Sequence, residues 1–302
     1  MQKEKKGKKE TQTMARFNKI ILKNDYLSRC ARFFVTPYMN GAFNIIHCCH
    51  HRVGTAWFTR IMNAVAMKYY LPFVKRDRID KSPLLPGAPF IYLDTHSLLD
   101  VSEITSFRGT HIIRDPRDIV ISGYYYHLWT DEEWANMKFS TLLKEKPMLK
   151  SRLASLPLDA IMDMSYKEYL NKLPKEEGLL VEIKRASLGP IQIMTDWDYD
   201  NPNFLEIKYE DLLLDQEKTF RKIFFHYGFK SEAIDISTEI ALSYSFKKIT
   251  GRSIGEVGKK SHLRSGKVNQ WEEEFSQSHI DLFKELHGSD LIKLGYEVGL
   301  DW

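Results

Sequence analysis

The feature that most constrains this chain is the stretch FNIIHCCHHRVGTAWFTRIMNAVA at residues 43–66. An apolar run from Phe43 to Ile46 is typical of a buried β-strand, and the segment that begins at Thr55 has helical periodicity. A short polar loop, His50 to Gly54, separates the two. Such a unit directs backbone N–H groups and the positive end of a helix at one point, where Arg52 adds a full charge. The stretch therefore predicts a site for a phosphate or another oxyanion.

Three further segments have an apolar run that ends in polar residues, and in two of them a predicted helix follows. Strands that alternate with helices at this spacing indicate a parallel α/β sheet, in which ligands bind at the carboxyl ends of the strands. The predicted fold class is therefore α/β, a single domain with a central parallel sheet flanked by helices. The segments are Phe90 to Leu93 ending at Asp94-Thr95-His96, Thr110 to Ile113 with a helix over Ile119 to Leu128, and Asn203 to Tyr209 with a helix over Leu213 to Tyr227.

The remaining segments are predicted from weaker patterns. Ile20 to Tyr38 has the mixture of aliphatic and basic residues of an amphipathic helix, and residues 129–193 are helical. Ser245 to Lys267 is expected to be a long loop, and the final helix is predicted over Glu272 to Leu286, ending at Gly288. Residues 1–18 are predicted to be a disordered basic tail.

Charge and composition argue against a nucleic-acid-binding protein and against a membrane-spanning one. The 302-residue chain has a formal charge of +4 and a pI near 8.7. Residues 1–25 carry a net charge of +5, so the remainder is close to neutral, and no nucleic-acid partner is expected. Only three cysteines are present, which favours a reducing compartment, and no apolar run is long enough to span a membrane. A cytoplasmic protein is predicted.

Two groups of basic residues could bind phosphate. Arg114 and Ser122 lie eight residues apart, a spacing that lets one cation and one hydroxyl hold a single phosphate. The alternative is that Arg114 pairs with a neighbouring aspartate and Ser122 lies on the helix surface. A second group, in a loop rich in Gly and Ser, could order on an anion or stay solvated. It consists of Lys259, Lys260, Arg264, Ser265, Gly266 and Lys267.

His96 follows a predicted strand, where a histidine can act as a general base or serve a structural role. The run His47-Cys48-Cys49-His50-His51 could suggest zinc. Alternate residues of a strand face opposite sides, and the chain has no Cys-x2-Cys or His-x3-His pair, so the zinc interpretation is disfavoured.

Taken in order, these motifs resemble those of the PAPS-dependent sulfotransferases, which move a sulfuryl group from 3′-phosphoadenosine-5′-phosphosulfate (PAPS) to a hydroxyl or amine. Six elements between Phe43 and Phe275 carry the resemblance. They are HRVGTAW at 51–57, similar to Pro-Lys-Ser/Thr-Gly-Thr-Thr-Trp; Arg114 with Ser122 and the tyrosines at 124–126; Asp94-Thr95-His96, similar to Lys-Thr-His; Tyr209-Glu210-Asp211; Ser245-Phe246; and Arg264-Ser265-Gly266 with Trp271.

The resemblance implies a P-loop nucleotide-kinase-like fold with a phosphosulfate-binding loop, in one sulfotransferase domain over residues 19–302. It implies that His96 is the general base and that Arg52 and the loop amides stabilise the leaving phosphate. Departures from the family pattern stand at Arg52, Ala56, Asp94 and Ser265. The other residues that it assigns to PAPS are Val53, Gly54, Thr55, Ala56, Trp57, Arg114, Ser122, Tyr209, Phe246, Arg264, Ser265 and Gly266, and it implies no metal.

Two other functions stay open. A P-loop kinase-like phosphotransferase would carry Gly-x4-Gly-Lys-Ser/Thr, which this sequence lacks. A non-catalytic module that binds adenosine 3′,5′-bisphosphate (PAP) or an anionic glycan is the second alternative. The expected acceptor is a small hydroxylated molecule, with a carbohydrate as an open alternative. No nucleic acid and no membrane span are expected, and whether the chain forms a homodimer stays open.

Overall fold

A computed structural model describes residues 37–41, 43–76, 90–102, 104, 106–147, 149–154, 156–187, 189–258 and 261–302. The predicted tail, most of the predicted helix over Ile20 to Tyr38, and Lys259 and Lys260 lie outside these residues. The described strands are β1 (Asn44–Cys48), β2 (Phe73–Arg76), β3 (Ile91–Asp94), β4 (Phe107–Ile113) and β5 (Phe204–Lys208).

Helices connect and follow these strands. The described helices are α1 (Thr55–Lys68), α2 (Pro116–His127), α3 (Glu133–Asn136), α4 (Phe139–Glu145), α5 (Leu149–Arg152), α6 (Leu158–Ile161), α7 (Tyr166–Lys172), α8 (Lys175–Ser187), α9 (Pro190–Thr195), α10 (Tyr209–Leu214), α11 (Gln216–His226), α12 (Ser231–Ser243), α13 (Phe246–Thr250), α14 (Trp271–Glu274) and α15 (Gln277–Lys293).

The five strands form one parallel sheet in the order β2-β3-β1-β4-β5. The residues of β3 are all buried, and those of β1 and β4 are nearly all buried, as expected for parallel strands covered on both faces. This arrangement confirms the predicted fold class, a parallel α/β sheet with flanking helices.

The register brings the polar ends of the strands to one edge of the sheet. Cys48 at the end of β1 pairs with Asp94 on one side and with His111 on the other. The connection after β1 leads to β2 at one edge of the sheet, whereas the connection after β4 leads to β5 at the other edge. The chain thus leaves the neighbouring strands β1 and β4 in opposite directions, which opens a crevice between them. Crevices of this kind, at the carboxyl ends of the strands, are the usual ligand sites of open parallel sheets.

The chain groups into two compact units. The first comprises the residues up to His50, Gly54–Ile113 and Asp198–Ser245, and it contains all the described strands. The second comprises His51–Val53, Arg114–Trp197 and Phe246–Trp302, and its described elements are helices. The single domain predicted over residues 19–302 stays a prediction.

Aromatic side chains fill much of the core of the first unit. Helix α11 contacts α12, and α12 contacts α1. The rings of Phe58 and Phe220 lie 5.9 Å apart between centroids, and both are fully buried. Phe224 and Tyr227 are also fully buried on this side. Burial of such large rings supplies a major part of the hydrophobic stabilisation of a domain of this size.

Helix α8 is the centre of the second unit, where it contacts α2, α9 and α15. Its buried Glu182 accepts hydrogen bonds from the Arg185 guanidinium and from the Tyr166 hydroxyl, the latter over 2.7 Å. A carboxylate can be buried at low cost only when its oxygens are paired in this way.

Several elements differ from the sequence prediction. Strand β2 lies between α1 and β3, where no strand was predicted, α13 lies within the predicted loop Ser245 to Lys267, and the predicted final helix is divided into α14 and α15. The predicted helix over Leu213 to Tyr227 is divided at Asp215, whose side chain caps α11 by accepting from the Lys218 N–H. The predicted helix end at Gly288 is wrong, because α15 continues to Lys293. A Cβ at Gly288 would lie 2.6 Å from Leu300, so this glycine allows a close approach and does not end the helix.

Candidate functional site

The order strand, loop and helix predicted around Arg52 is present, and the oxyanion site at this loop stays a prediction. The last residue of the loop, Gly54, is left-handed with φ 75° and precedes the first turn of α1. No side chain caps this helix, and the first N–H groups of a helix have no carbonyl partner within it. The Trp57 N–H is an exception, since it donates to the Gly54 carbonyl over 2.9 Å. Thr55 closes the loop by donating its hydroxyl to the His50 carbonyl over 3.1 Å.

The candidate base His96 lies in a tight turn after β3, in the first unit. The backbone N–H of His96 donates to Asp94 Oδ1 over 2.9 Å. Asp94 is fully buried, and Arg76 at the end of the neighbouring strand lies 3.9 Å from its second oxygen. Burial raises the pKa of Asp94, whereas the His96 N–H and the Arg76 charge oppose that rise. The carboxylate therefore fixes the turn that carries His96, which is half-buried.

Two aromatic residues assigned to the nucleotide lie together in the first unit. The Trp57 and Tyr209 rings are edge to face, with centroids 6.5 Å apart. Trp57 is buried and also lies edge to face with Phe220, at 5.7 Å. Tyr209 approaches the loop, since a Cβ at Gly54 would lie 3.3 Å from its ring. These contacts join the loop to the start of α10.

Arg52 and Ser122 lie together in the second unit. Arg52 donates from Nε to the Ser122 hydroxyl over 3.0 Å, and its guanidinium lies 4.3 Å from the centre of the Tyr126 ring. Its backbone has a φ of 66°, which is uncommon for a residue with a side chain. The joint binding of one phosphate by Ser122 and Arg114 stays a prediction; the direct partner of the Ser122 hydroxyl in the structure is Arg52.

Arg114 joins the loop to a later part of the second unit. It donates to the Arg52 carbonyl over 3.2 Å and to the Asp118 carboxylate over 3.2 Å. Asp118 is fully buried and also accepts from the backbone N–H groups of Gln270 and Trp271, over 2.7 and 3.2 Å. Burial raises the pKa of Asp118, and Arg114 opposes that rise. The pairing of Arg114 with a neighbouring aspartate is the alternative that the sequence left open. The bonds from Gln270 and Trp271 to Asp118 had no signal in the sequence.

The third basic element of the second unit is the segment Arg264–Gly266. Arg264 lies 4.1 Å from the centre of the Tyr125 ring and donates to the Gln270 side chain, which also accepts from the Ser265 hydroxyl over 3.0 Å. Burial lowers the pKa of Arg264, and the charge of Arg114 contributes to that effect. Arg114 and Arg264 are thus two cations of the second unit whose charges influence each other.

Phe246 packs against this segment. A Cβ at Gly266 would lie 3.0 Å from the Phe246 ring, and the Arg252 guanidinium lies 5.1 Å from the ring centre. Arg252 also donates to the Glu256 and Arg264 carbonyls over 2.7 and 2.6 Å, and so holds the long loop in shape. Its role was missed from the sequence, because loop arginines that bind carbonyls have no spacing signature.

A buried histidine cluster supports the start of the loop in the second unit. The His51 and His127 rings stack in parallel, with centroids 5.4 Å apart. His127 donates from Nδ1 to Glu182 over 3.1 Å. Burial tends to raise the pKa of Glu182, but the charges of Arg185 and His127 outweigh it and lower the pKa. Burial and the nearby positive charges lower the pKa of His51, which is therefore neutral beside Arg52.

Among the described residues, no group of three or more His, Cys, Asp or Glu side chains is arranged to hold a metal ion. The run from His47 to His51 illustrates why. His47 bonds to Thr110 over 2.7 Å, whereas His50 bonds to His111 over 2.7 Å and His51 stacks on His127. None of the helices in the described part of the chain is both long enough and apolar enough to cross a membrane.

Two solved structures match most of this chain, with TM-scores below 0.5. The mouse sulfotransferase SULT7A1 complexed with PAP has a TM-score of 0.49 and 16% identity, and the match covers 86% of this chain and 89% of that one. Retinol dehydratase in complex with androsterone and PAP has a TM-score of 0.44 and 14% identity, over 82% of this chain and 80% of that one.

Sequence comparison gives the family. Sulfotransferase 2A1 of Rattus norvegicus is 28% identical over 186 residues, which are 58% of this chain and 54% of that protein. The chain thus matches about half the length of this relative. The sequence model of the family described as "Sulfotransferase domain" matches residues 94–295, which is more than half of the chain and includes His96, Arg114, Ser122 and Arg264. The chain therefore belongs to the sulfotransferase domain family.

Proposed function

We propose that this chain transfers a sulfuryl group from PAPS to a hydroxyl or amine of a small-molecule acceptor. One observation carries the proposal. In the second unit Arg52 bonds to Ser122 over 3.0 Å, and Arg114 bonds to the Arg52 carbonyl over 3.2 Å. These bonds join the loop that the family resemblance assigns to the 5′-phosphosulfate with the element that it assigns to the 3′-phosphate. A ligand phosphorylated at both ends of its ribose fits such a pair of cations.

The charges of these residues suit the reaction. PAPS, when bound, supplies the sulfuryl group, and the 5′-phosphate left behind gains negative charge. Arg52 and the loop amides of Gly54 to Ala56 would stabilise that charge, as fixed donors do in other group-transfer sites. Arg114, Ser122 and the segment Arg264–Gly266 would hold the 3′-phosphate.

The proton of the acceptor needs a base, and we assign that role to His96. An imidazole is the side chain best suited to accept a proton near neutral pH. The hydrogen bond from its backbone N–H to Asp94 supports the assignment, because it fixes the turn at the end of β3. Adenine is assigned to Trp57, Tyr209 and Phe246, which offer aromatic surface. The assignment of these residues follows the order of the motifs along the chain.

Nucleotide selectivity tests the proposal directly. PAP should raise the midpoint of thermal unfolding, and ATP with Mg²⁺ should not, because only PAP carries the 3′-phosphate that Arg114 would bind. PAPS should then sulfate members of a panel of phenols, aliphatic alcohols, amines and sugars, as detected by mass spectrometry. Stabilisation by ATP alone would favour a kinase. Stabilisation by PAP without transfer to any acceptor would favour a binding module.

The role of His96 is tested by its replacement. His96→Ala should abolish turnover while the affinity for PAP stays within about twofold, because the base contributes to the reaction rather than to nucleotide binding. His226→Gln is a suitable control, since His226 is a partly buried histidine of the same unit and bonds to the Asn203 carbonyl. Turnover of His96→Ala close to that of the wild type would show that the base is another residue.

Replacement of Arg114 separates donor binding from chemistry. Arg114→Ala should weaken PAP binding about 10- to 100-fold in calorimetric titrations, which is the usual effect of losing a charge-assisted hydrogen bond. Arg60→Ala removes an exposed arginine of α1 and is the matched control. Unchanged affinity in Arg114→Ala would exclude this residue from the nucleotide site.

A further inference from the structure

Three side chains of the first unit form a hydrogen-bonded chain at the edge of the sheet where His96 lies. His50, two residues after β1, pairs its Nε2 atom with His111 Nε2 over 2.7 Å. His111 on β4 pairs its Nδ1 atom with Glu206 Oε2 on β5 over 2.6 Å. Both histidines are buried, whereas the Glu206 side chain is 32% exposed. The proposed reaction uses none of these three residues.

The protonation state of each ring follows from its partner. A carboxylate only accepts hydrogen bonds, so His111 carries its hydrogen on Nδ1 and donates it to Glu206. Burial lowers the pKa of His111 to about 3, so the ring is neutral and its Nε2 atom is an acceptor. His50 must then carry its hydrogen on Nε2. Burial, His111 and His96 in turn lower the pKa of His50, which leaves its Nδ1 atom as a lone pair.

The His50 Nδ1 lone pair ends the series of hydrogen bonds that begins at Glu206. His50 Nδ1 is buried and accepts no hydrogen bond from any of the described residues. A buried acceptor without a donor destabilises the folded state, so such atoms are uncommon and often functional. The two rings also have aligned dipoles, because each N–H points toward Glu206 and each lone pair points away from it. Aligned hydrogen bonds strengthen one another in a buried site.

We propose that Glu206, His111 and His50 are positioning residues for His96, and that the His50 Nδ1 lone pair stabilises the positive charge that His96 acquires when it takes the acceptor's proton. No proton moves between Glu206, His111 and His50, and the two histidines keep their tautomers. Fixed dipoles act in this way wherever charge develops in a protected site. The register places His50 and His96 near each other, because Cys48 and Asp94, which lie two residues before them, are paired between β1 and β3, and the Cys49 N–H donates to the Asp94 carbonyl over 2.9 Å. The contribution of the His96 charge to the lowered pKa of His50 agrees with this placement. This inference rests on the proposed function.

Ring-nitrogen NMR of the full wild-type chain tests the tautomers without any need for turnover. Long-range proton–nitrogen correlation spectra should show His50 protonated on Nε2 and His111 protonated on Nδ1. A His50 ring protonated on Nδ1 would overturn the proposal, because its lone pair would then face His111. The NMR measurement still decides the tautomers of His50 and His111 if the wild-type protein transfers no sulfuryl group. Absence of sulfuryl transfer would count against the proposed function alone.

Glu206→Gln tests the effect on the reaction, because glutamine keeps an acceptor oxygen for His111 and loses the charge. The single-turnover rate at saturating PAPS should fall about tenfold, while the affinity for PAP and the midpoint of thermal unfolding stay unchanged. Glu239→Gln, an exposed carboxylate of α12, is the matched control. A fall of less than about threefold, or an equal loss of PAP affinity, would overturn the proposal.

Discussion

The buried histidines of the first unit predict that the protein loses stability in mild acid. Burial lowers the pKa of His47 from 6.5 to about 3, with a further contribution from the charge of His111. Burial likewise lowers the pKa of His111 to about 3. As the pH falls below 6.5 the unfolded chain takes up these protons and the folded chain does not. Stability is therefore full above the ordinary histidine pKa and is lost progressively as the pH falls toward 3.

The size of the effect follows from the two pKa values. Between pH 7 and pH 5, one histidine that shifts from 6.5 to about 3 on folding removes about 2 kcal/mol of unfolding free energy. Two such residues remove at most about 4 kcal/mol, which is a large fraction of the 5–15 kcal/mol typical of a domain. Asp94 and Asp118 act in the opposite direction, because their pKa values are raised by burial.

Urea unfolding at pH 7, 6 and 5, followed by circular dichroism, measures this dependence. The free energy of unfolding should fall by about 2–4 kcal/mol across the range. In His47→Gln the difference between pH 7 and pH 5 should be smaller by about 2 kcal/mol, whatever the stability at pH 7. Glutamine can still accept from the Thr110 hydroxyl, which bonds to His47 over 2.7 Å. Equal unfolding free energies at pH 7 and pH 5 would refute the reasoning.

Three substitutions test other contacts. Gly54→Ala should lower stability by about 1–2 kcal/mol in urea unfolding, because alanine resists a φ of 75°, and unchanged stability would argue against this loop conformation. Asp118→Asn should weaken PAP binding about tenfold in calorimetric titrations, because Arg114 loses its charged partner. An affinity equal to that of the wild type would show that Arg114 binds PAP without the Asp118 charge. Glu182→Gln should destabilise the protein by about 3–5 kcal/mol, because it leaves the Arg185 charge buried without its carboxylate, and a loss under about 1 kcal/mol would contradict that account.

The strands that could be predicted from the sequence are those with an apolar signal. β1, β3 and β5 were predicted from runs of large apolar residues that end in polar ones, and so was the second half of β4. Strand β2, with the sequence FVKR, lies at the edge of the sheet, and its Lys75 is exposed. An edge strand needs few apolar residues, so periodicity alone could not distinguish it from a loop.

In the candidate site, too, the sequence predicted which residues take part but not which residues bond to each other. The sequence predicted that Arg52, Arg114 and Ser122 bind phosphate, and the structure joins all three within the second unit. It could not predict that Ser122 bonds to Arg52, since a spacing of eight residues describes only the distance between Ser122 and Arg114. The partners of the buried His50 and Asp118 come from distant segments, His111 and Gln270, and no local pattern specifies such contacts.

The left-handed backbone conformation of Arg52 lowers the stability of the fold at a position where the proposed reaction needs a cation. A residue with a Cβ at a φ of 66° costs about 1–2 kcal/mol relative to glycine. The loop therefore keeps a guanidinium where glycine would fold more easily, as strained residues at functional sites often do. A library screen at position 52 that selects only for heat resistance should enrich glycine, whereas a screen that selects for sulfuryl transfer should recover arginine.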